Sequence, residues 1–207
     1  MVPILTSAFD QTAVLPAKCR SCNRPLDSPL FCGNCHTLHP AAGLTHFAIL
    51  GLTPSFDIDL DELRRKYLYC SRCIHPDHHS AGGADANLSL HTAAQLNESY
   101  RVLRDPVLRA EHLLALAGGR SSAEDKSAPP DVLAQTMLLR EETEEARAAD
   151  DSAGLAALRK QVQTLCEQAL QVVAGLAREL PGNDDTRQRL REQLNAVKYY
   201  RKLLEQL

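Results

Sequence analysis

The sequence predicts an all-α protein in which a helical hairpin is followed by an antiparallel three-helix bundle and preceded by a small, loop-rich, cysteine-containing module. Three observations lead to this prediction. Two Cys-x-x-Cys pairs lie in a proline-rich segment, apolar residues take helical spacing from Asp59 onward, and the last third of the chain has heptad-like spacing. We expect no strand of normal length after residue 40.

The composition excludes several classes of protein. The chain has 207 residues, of which 44% are hydrophobic and 24% charged, so it can form one ordinary domain or two small ones. No run approaches the roughly eighteen apolar residues of a membrane helix, and we expect no membrane partner. The net charge of -3 argues against nucleic acid as a partner.

The start of the chain and its cysteines bear on the cellular compartment. The first eighteen residues lack the basic and apolar regions of a secretory signal, and they make a poor mitochondrial presequence because they contain no arginine. Three Cys-x-x-Cys pairs suggest a reducing compartment. We therefore expect a cytoplasmic protein, with the mitochondrial matrix as the alternative.

Residues 1–40 form the predicted metal-binding module. Five prolines and little apolar periodicity favour loops over helices in this segment. Two tight turns would present two pairs of thiolates, which suits one structural, tetrahedral zinc ion with no open position for catalysis. Iron, an iron–sulfur cluster and unpaired thiols are the alternatives, and His36 or His39 could replace one ligand. The predicted ligands are Cys19, Cys22, Cys32 and Cys35.

A helix of about fifteen residues is predicted from Asp59, with Asp57 and Asp59 as candidate caps and Pro76 as its stop. A loop rich in His, Gly and Ser follows, and a second helix ends near Asp105-Pro106. Its apolar face carries Leu96, Tyr100 and Leu103. The apolar stripe of the first helix comprises Leu60, Leu63, Tyr67, Cys70 and Ile74.

The rest of the chain predicts four further helices. Residues 107–117 form the first, which stops at Gly118-Gly119, and residues 120–130 read as a linker. The second runs from Pro130 to about Ala149, and the last starts near Thr186 and carries Leu190, Leu194, Val197 and Leu204 on one face. The third lies between them and has a heptad-like stripe of Leu155, Leu158, Val162, Leu165, Ala169, Val172 and Leu176.

The tripeptide His75-Pro76-Asp77 is weak evidence alone, and the sequence on either side of it makes it specific. It follows a helix that bears Arg64, Arg65, Lys66 and Arg72. Together with residues 46–52, the Leu-Asn-Glu-Ser-Tyr-Arg run at 96–101 and the Asp-Pro-Val-Leu-Arg-Ala-Glu-His-Leu-Leu run at 105–114, it resembles the HscB family of J-domain co-chaperones of iron–sulfur cluster assembly. The 105–114 run discriminates most, because generic J-proteins do not usually continue in this way.

The resemblance implies a division into a metal module at 1–40, a J-domain at 44–119, a linker at 120–130 and a scaffold-binding domain at 131–207. It also implies that the J-domain stimulates the ATPase of a DnaK/HscA-class chaperone. The basic residues attract an acidic patch, although each could be only a solvated face. The implied chaperone-binding residues are His75, Pro76, Asp77, Arg64, Arg65, Lys66 and Arg72.

The second implied partner is the iron–sulfur scaffold protein IscU. The run Leu139-Arg140-Glu141-Glu142 matches the family's scaffold-contacting helix, whereas Ala134 and Leu138 stand where a larger apolar and an acidic residue are usual. Packing of Leu133 and Met137 inside the bundle is the alternative, and Tyr199 could replace Tyr200. The implied contacts are Leu133, Met137, Arg140, Glu141 and Tyr200.

The third pair, Cys70 and Cys73, lies in the last turn of a helix, where the helix dipole opposes thiolate formation. We expect Cys70 to be buried, while a second metal clip with His78 or His79 is the alternative. Cys166 is expected in the core.

No catalytic pocket, nucleophile or phosphate loop is evident in the sequence, so we expect that the protein is not an enzyme. We also expect it to be a monomer or a weak dimer. The alternative functions are a zinc-knuckle adaptor for protein or nucleic acid and a thiol redox protein that uses Cys70 and Cys73.

Overall fold

The structure is a computed structural model, and it describes residues 18–26, 28–75 and 84–207. Within these ranges it contains α-helices and no named strand, which confirms the all-α prediction. Two isolated β-bridges lie in the cysteine-containing segment. The helices are α1 (His46–Ile49), α2 (Leu60–Cys73), α3 (Ala84–Arg104), α4 (Pro106–Leu116), α5 (Pro130–Ala148), α6 (Ser152–Arg178) and α7 (Asp184–Leu204).

The chain divides into two compact units, Met1–Arg109 and Ala110–Leu207. The domain boundaries expected from the sequence stay predictions. No helix within the described ranges is both long enough and apolar enough to cross a membrane.

Helix α2 begins where its cap predicts. The Asp59 carboxylate accepts hydrogen bonds from the backbone N–H groups of Asp61 and Glu62, at 2.8 and 3.2 Å, and so satisfies two donors that the first turn leaves unpaired. The helix ends at Cys73, before Pro76, which lies outside the described residues. Leu60 was wrongly assigned to the buried stripe, because it is 51% exposed in the first turn.

Polar contacts fix the α2–α3 hairpin alongside its apolar core. The Tyr67 hydroxyl donates to Asn97 Oδ1 at 2.9 Å, and the Tyr67 and Tyr100 rings stack with 4.3 Å between their centroids. His46 of α1 shares a 2.9 Å hydrogen bond with the Ser99 hydroxyl. The residues of the 96–101 run therefore hold α1, α2 and α3 together. The side chains of Leu63, Ile74, Leu96 and Leu103 are almost completely buried.

The 105–114 run begins with a helix cap. The Asp105 carboxylate accepts from the backbone N–H groups of Val107 and Leu108 at 2.7 and 3.0 Å, and Pro106 occupies the first position of α4, where no N–H is needed. Arg109 is buried. Its guanidinium lies 5.0 Å from the centroid of the Phe56 ring and donates to the Leu103 carbonyl at 2.6 Å.

Helices α5, α6 and α7 pack against one another as the predicted bundle. The side chain of Asn183 accepts from the backbone N–H of Thr186 at 2.8 Å, so α7 starts two residues before the expected position. Periodicity does not distinguish neighbours at the edge of a stripe. Val172, on the predicted stripe of α6, is 44% exposed, whereas its neighbour Val173 is buried. In α7, Leu203 is more deeply buried than Leu204.

The segment predicted as a linker is tied to α7. The Asn195 side-chain amide donates to the backbone carbonyls of Asp125 and Ser127 at 3.0 and 2.8 Å. Gln188 donates to the Asp125 carboxylate at 3.2 Å. These bonds satisfy polar groups of an irregular segment that lies against a helix.

Candidate metal centre and docking faces

The cysteine-containing segment is built from two copies of one turn. An isolated bridge pairs Lys18 with Pro25, and the same bridge recurs thirteen residues later between Phe31 and Leu38. In the first turn the N–H of Asn23 donates to the Cys19 carbonyl at 2.9 Å, and in the second the N–H of His36 donates to the Cys32 carbonyl at 2.9 Å. Each Cys-x-x-Cys pair thus lies on its own tight knuckle.

A left-handed residue closes each knuckle. Asn23 and His36 both have φ of 58°, a conformation that asparagine and histidine adopt more readily than most other side chains. Each follows the second cysteine of its pair. The structure therefore gives His36 a role in turning the backbone.

The two knuckles bring the four predicted ligands together. The Sγ atoms of Cys19, Cys22, Cys32 and Cys35 all lie within 4.8 Å of one another. Cys19 and Cys35 are 3.5 Å apart at sulfur, and Cys22 and Cys32 are 3.6 Å apart. A tetrahedron with Zn–S bonds of about 2.3 Å has edges of about 3.8 Å, whereas a disulfide bond measures about 2.0 Å. The spacing fits four thiolates around one metal ion and excludes disulfides.

Neither histidine considered as a substitute ligand belongs to this cluster. His39 is buried, and its Nε2 has no hydrogen-bond partner within the described part of the chain. Burial, and to a lesser extent the nearby Arg20, lowers the pKa of His39. The observed cluster is a four-cysteine group that can hold a metal ion.

Two thiols of the cluster, Cys32 and Cys35, differ in the direction of their pKa shifts. The hydroxyl of Thr37 and then its backbone N–H lower the pKa of Cys35 to about 6. Backbone donation from Cys35 and Asn34 favours the Cys32 thiolate as well, but burial and its bonds to neighbouring thiols outweigh this and raise its pKa to about 11. Cys35 therefore has more thiolate character than Cys32.

The third pair, Cys70 and Cys73, lies at the end of α2. Cys70 is buried, as expected, and burial followed by the proximity of Cys73 raises its pKa to about 11. A redox-active thiol needs a lowered pKa. No cluster of potential metal ligands within the described ranges includes this pair. His78 and His79, which the metal-clip alternative needs, lie outside the described residues.

The metal module lies against α2. The ring of Phe31, next to the ligand Cys32, contacts the ring of Tyr69 with 5.7 Å between centroids and a tilt of 59°. A hydrogen bond also links the Ser28 side chain to Cys70. No periodicity in the sequence indicates this packing, because Tyr69 lies off the apolar stripe of its helix.

The exposed face of α2 is basic. Arg64, Arg65 and Arg72 are exposed, and His75 is exposed just beyond the helix. Lys66 is partly buried, donates to the Gly51 carbonyl at 2.8 Å and pairs with Glu62 at 3.6 Å. Pro76 and Asp77 lie outside the described residues.

Helix α5 carries an exposed apolar stripe. Leu133, Met137 and Leu138 are 41, 64 and 59% exposed, which excludes the alternative that the first two pack inside the bundle. Leu138 extends the stripe at the position where the family usually has an acidic residue. Glu141 is exposed beside the stripe and Arg140 is partly buried.

Tyr200 takes a supporting position in the bundle. It is 3% exposed, and its hydroxyl donates to Gln135 Oε1 of α5 at 3.1 Å. Tyr200 is therefore buried inside the bundle and holds α5 through its hydrogen bond to Gln135. The neighbouring Tyr199 is partly exposed.

These features define a class of protein. A helical hairpin of J-domain type, a three-helix bundle and a four-cysteine module in one chain are the parts that the sequence resemblance to J-domain co-chaperones led us to expect.

Comparison with known proteins narrows this class. Residues 128–207 match the family model of the HSCB C-terminal oligomerisation domain. The chaperone HscB from Vibrio cholerae is 28% identical, with a TM-score of 0.65 over 79% of this chain and 94% of that one. Human co-chaperone HscB shares the fold, with a TM-score of 0.75 and 21% identity over 91% of this chain and 95% of that one. The chain therefore carries an HSCB C-terminal oligomerisation domain at residues 128–207 and is similar in fold to HscB co-chaperones.

Proposed function

We propose that this protein stimulates the ATPase of a DnaK/HscA-class chaperone and delivers the IscU scaffold to it, so that a cluster passes on to iron–sulfur proteins. The basic face of α2 carries the proposal, because it leads directly to the His75-Pro76-Asp77 tripeptide. The protein acts as a helper and supplies no catalytic group of its own. It works in a reducing compartment, the bacterial cytoplasm or the mitochondrial matrix.

The chaperone half of the proposal rests on charge and rigidity. Arg64, Arg65 and Arg72 are exposed on one side of α2. Such a surface accelerates encounter with an acidic partner and orients it on arrival. Pro76 restricts the loop, and the Asp77 carboxylate can make a charge-assisted hydrogen bond to an arginine of the chaperone.

We expect the full-length protein to stimulate ATP hydrolysis by a DnaK/HscA-class chaperone and His75→Gln to abolish the stimulation. His91→Gln is a matched control, because His91 is also an exposed histidine but belongs to α3 and is not part of the tripeptide. Single-turnover ATPase rates with and without IscU measure the effect. Equal stimulation by the His75 variant and the parent protein would contradict the proposed role of the tripeptide.

The scaffold half rests on the exposed stripe of α5. Leu133, Met137 and Leu138 form an apolar strip with Glu141 beside it, a pattern suited to a partner with an apolar patch and a basic rim. We assign direct contacts to Leu133, Met137, Arg140 and Glu141. Tyr200 contributes by holding α5 through Gln135.

Replacing Leu133 and Met137 by serine is expected to weaken IscU binding at least tenfold, equivalent to about 1.4 kcal/mol, because both lose apolar area at the centre of the strip. Isothermal titration calorimetry with IscU measures the change. Val172→Ser is the control, since Val172 is an apolar residue of α6 that is 44% exposed in the same bundle. A similar loss in the control variant would place the binding surface elsewhere.

The metal module completes the proposal. We assign its four thiolates to one structural zinc ion, because closed four-cysteine sites on paired knuckles favour this metal. The module contacts Tyr69 and Cys70 on α2 and leaves the arginine face exposed. Zinc would thus help to hold the helix that meets the chaperone.

A further inference from the structure

The four sulfur atoms receive hydrogen bonds from groups outside the metal shell. The backbone N–H of Ser21 donates to Cys19 at 3.4 Å, and the N–H of Cys22 also points at this sulfur. In the second knuckle the N–H groups of Asn34 and Cys35 donate in the same way to Cys32. The N–H groups of Ser21, Cys22, Asn34 and Cys35 therefore serve the first cysteine of their knuckle, and the second cysteine needs donors from elsewhere, which for Cys35 are the N–H and hydroxyl of Thr37.

The two knuckles meet this need differently. Cys35 lies 3.2 Å from the hydroxyl of Thr37, two residues further along the chain. The equivalent residue in the first knuckle is Arg24, whose guanidinium instead donates to Asn34 Oδ1 at 2.5 Å. The Asn34 amide in turn donates to Cys22 Sγ at 3.7 Å. The hydrogen bond to Cys22 Sγ thus involves one side chain from each knuckle, Arg24 from the first and Asn34 from the second.

We infer that Arg24 and Asn34 form an outer-shell clamp, in which Arg24 orients the Asn34 amide so that it donates to the Cys22 ligand and slows release of the metal ion. The inference rests on the proposal that the four thiolates hold a metal ion. Asn34 is the positioning residue next to the ligand, and Arg24 acts through it.

The physical reason is charge. Four thiolates around a divalent cation carry a net charge of about -2, and N–H groups aimed at sulfur disperse it without competing for the metal. The guanidinium adds a positive charge near the cluster. It also fixes the orientation of the Asn34 amide, because the amide oxygen faces Arg24 and the nitrogen faces sulfur.

The test uses full-length protein loaded with Zn²⁺ and measures the rate of metal transfer to a chromogenic chelator. Asn34→Ala is expected to release zinc about 10–100-fold faster than the parent protein. Arg24→Ala is expected to accelerate release by the same factor or less, because Arg24 acts through Asn34. The Arg24→Ala, Asn34→Ala double variant should match Asn34→Ala alone, because Arg24 acts through the amide. Arg20→Ala is the matched control, since Arg20 lies in the same knuckle and donates to the Leu38 carbonyl, not to a group that bonds sulfur.

Asn34→Asp separates donation from packing. It keeps the size of the side chain and its bond to Arg24 but places an acceptor where the donor stood, so release should be at least as fast as in Asn34→Ala. In Co²⁺-loaded protein the sulfur-to-cobalt charge-transfer band should shift in both Asn34 variants and not in Arg20→Ala.

Each outcome decides one step. A parent protein that binds neither Zn²⁺ nor Co²⁺ would overturn the proposed metal site. Parent-like release by both Asn34 variants, from protein that does bind the metal, would overturn only the clamp. Additive effects of the two alanine substitutions would show that Arg24 acts independently of Asn34.

Discussion

Removal of the metal ion is expected to unfold residues 18–40 while the helices of both units stay folded. The described part of this segment has no helix or strand, and apart from Cys19 and Cys32 its buried apolar side chains are Leu30, Phe31 and Leu38, which make a very small core. Its two knuckles converge at their sulfur atoms and are otherwise joined by side-chain hydrogen bonds from Arg20 to Leu38 and from Arg24 to Asn34. In such modules the free energy of metal binding is the free energy of folding, about 10–16 kcal/mol for small zinc domains.

Hydrogen exchange on the full-length protein, before and after chelation, measures this effect. Amide protection should disappear at residues 18–40, including the N–H groups of Asn23 and His36 that close the knuckles. Cys32→Ser should give the same pattern without chelator, because it removes a ligand. Cys166→Ser is the matched control, since Cys166 is also buried but lies in α6. Protection that survives complete metal removal would show that the apolar contacts suffice.

Helix α2 should keep its own protection in the metal-free protein. Tyr69 would lose the Phe31 ring, but the core of the hairpin at Leu63 and Leu96 does not involve the metal module's cysteines. The metal would then adjust the stability of α2 without determining whether the helix forms.

The sequence was most informative where structure depends on neighbouring residues. Helix boundaries at Asp59, Pro106 and Pro130 follow from caps and prolines, and the observed helices begin at or next to these residues. The four cysteines that come together in the structure follow from spacing alone. Burial was harder to predict at stripe edges, as at Leu60 and Val172, because a rotation of part of a turn decides whether a side chain faces the core.

Contacts between distant segments carry no comparable sequence signal. Arg24 and Asn34 are both ordinary knuckle residues, and only the folded turns bring guanidinium and amide together. The Phe31–Tyr69 contact likewise depends on how one segment docks on another. The exposed stripe on α5 is a third case, because apolar residues at helical spacing look the same whether they face a core or a partner.

Glu111→Ala is expected to lower the unfolding free energy of the C-terminal unit by about 3–5 kcal/mol. Arg191 is 1% exposed, and its guanidinium donates two hydrogen bonds to the Glu111 carboxylate at 2.5 and 2.7 Å. Lys198 donates to the same carboxylate at 2.6 Å. Removal of the carboxylate leaves the buried cation of Arg191 without its partner. The resulting loss of unfolding free energy is larger than the loss caused by breaking an exposed ion pair.

Urea unfolding followed by circular dichroism measures the loss. Arg189→Ala is the control, because Arg189 pairs with Asp185 at 3.7 Å on the surface of the same helix and should contribute less than about 1 kcal/mol. A Glu111→Leu, Arg191→Met double variant should recover most of the stability, since it removes both charges together. A Glu111→Ala effect no larger than that of Arg189→Ala would contradict a structural role for the buried pair.

The same carboxylate gives the C-terminal unit a defined response to acid. Burial would raise the pKa of Glu111, but the hydrogen bonds from Arg191 and Lys198 outweigh burial and hold this pKa below its ordinary value of 4.5. A carboxyl group whose pKa is lower in the folded state stabilises the fold fully above its unfolded pKa, and this contribution disappears as pH falls through the folded pKa. The difference in stability between the parent protein and Glu111→Gln should therefore be largest near neutral pH and shrink below about pH 4.5. A difference that stays constant down to the folded pKa would mean that packing around Arg191, and not the charge of Glu111, stabilises the pair.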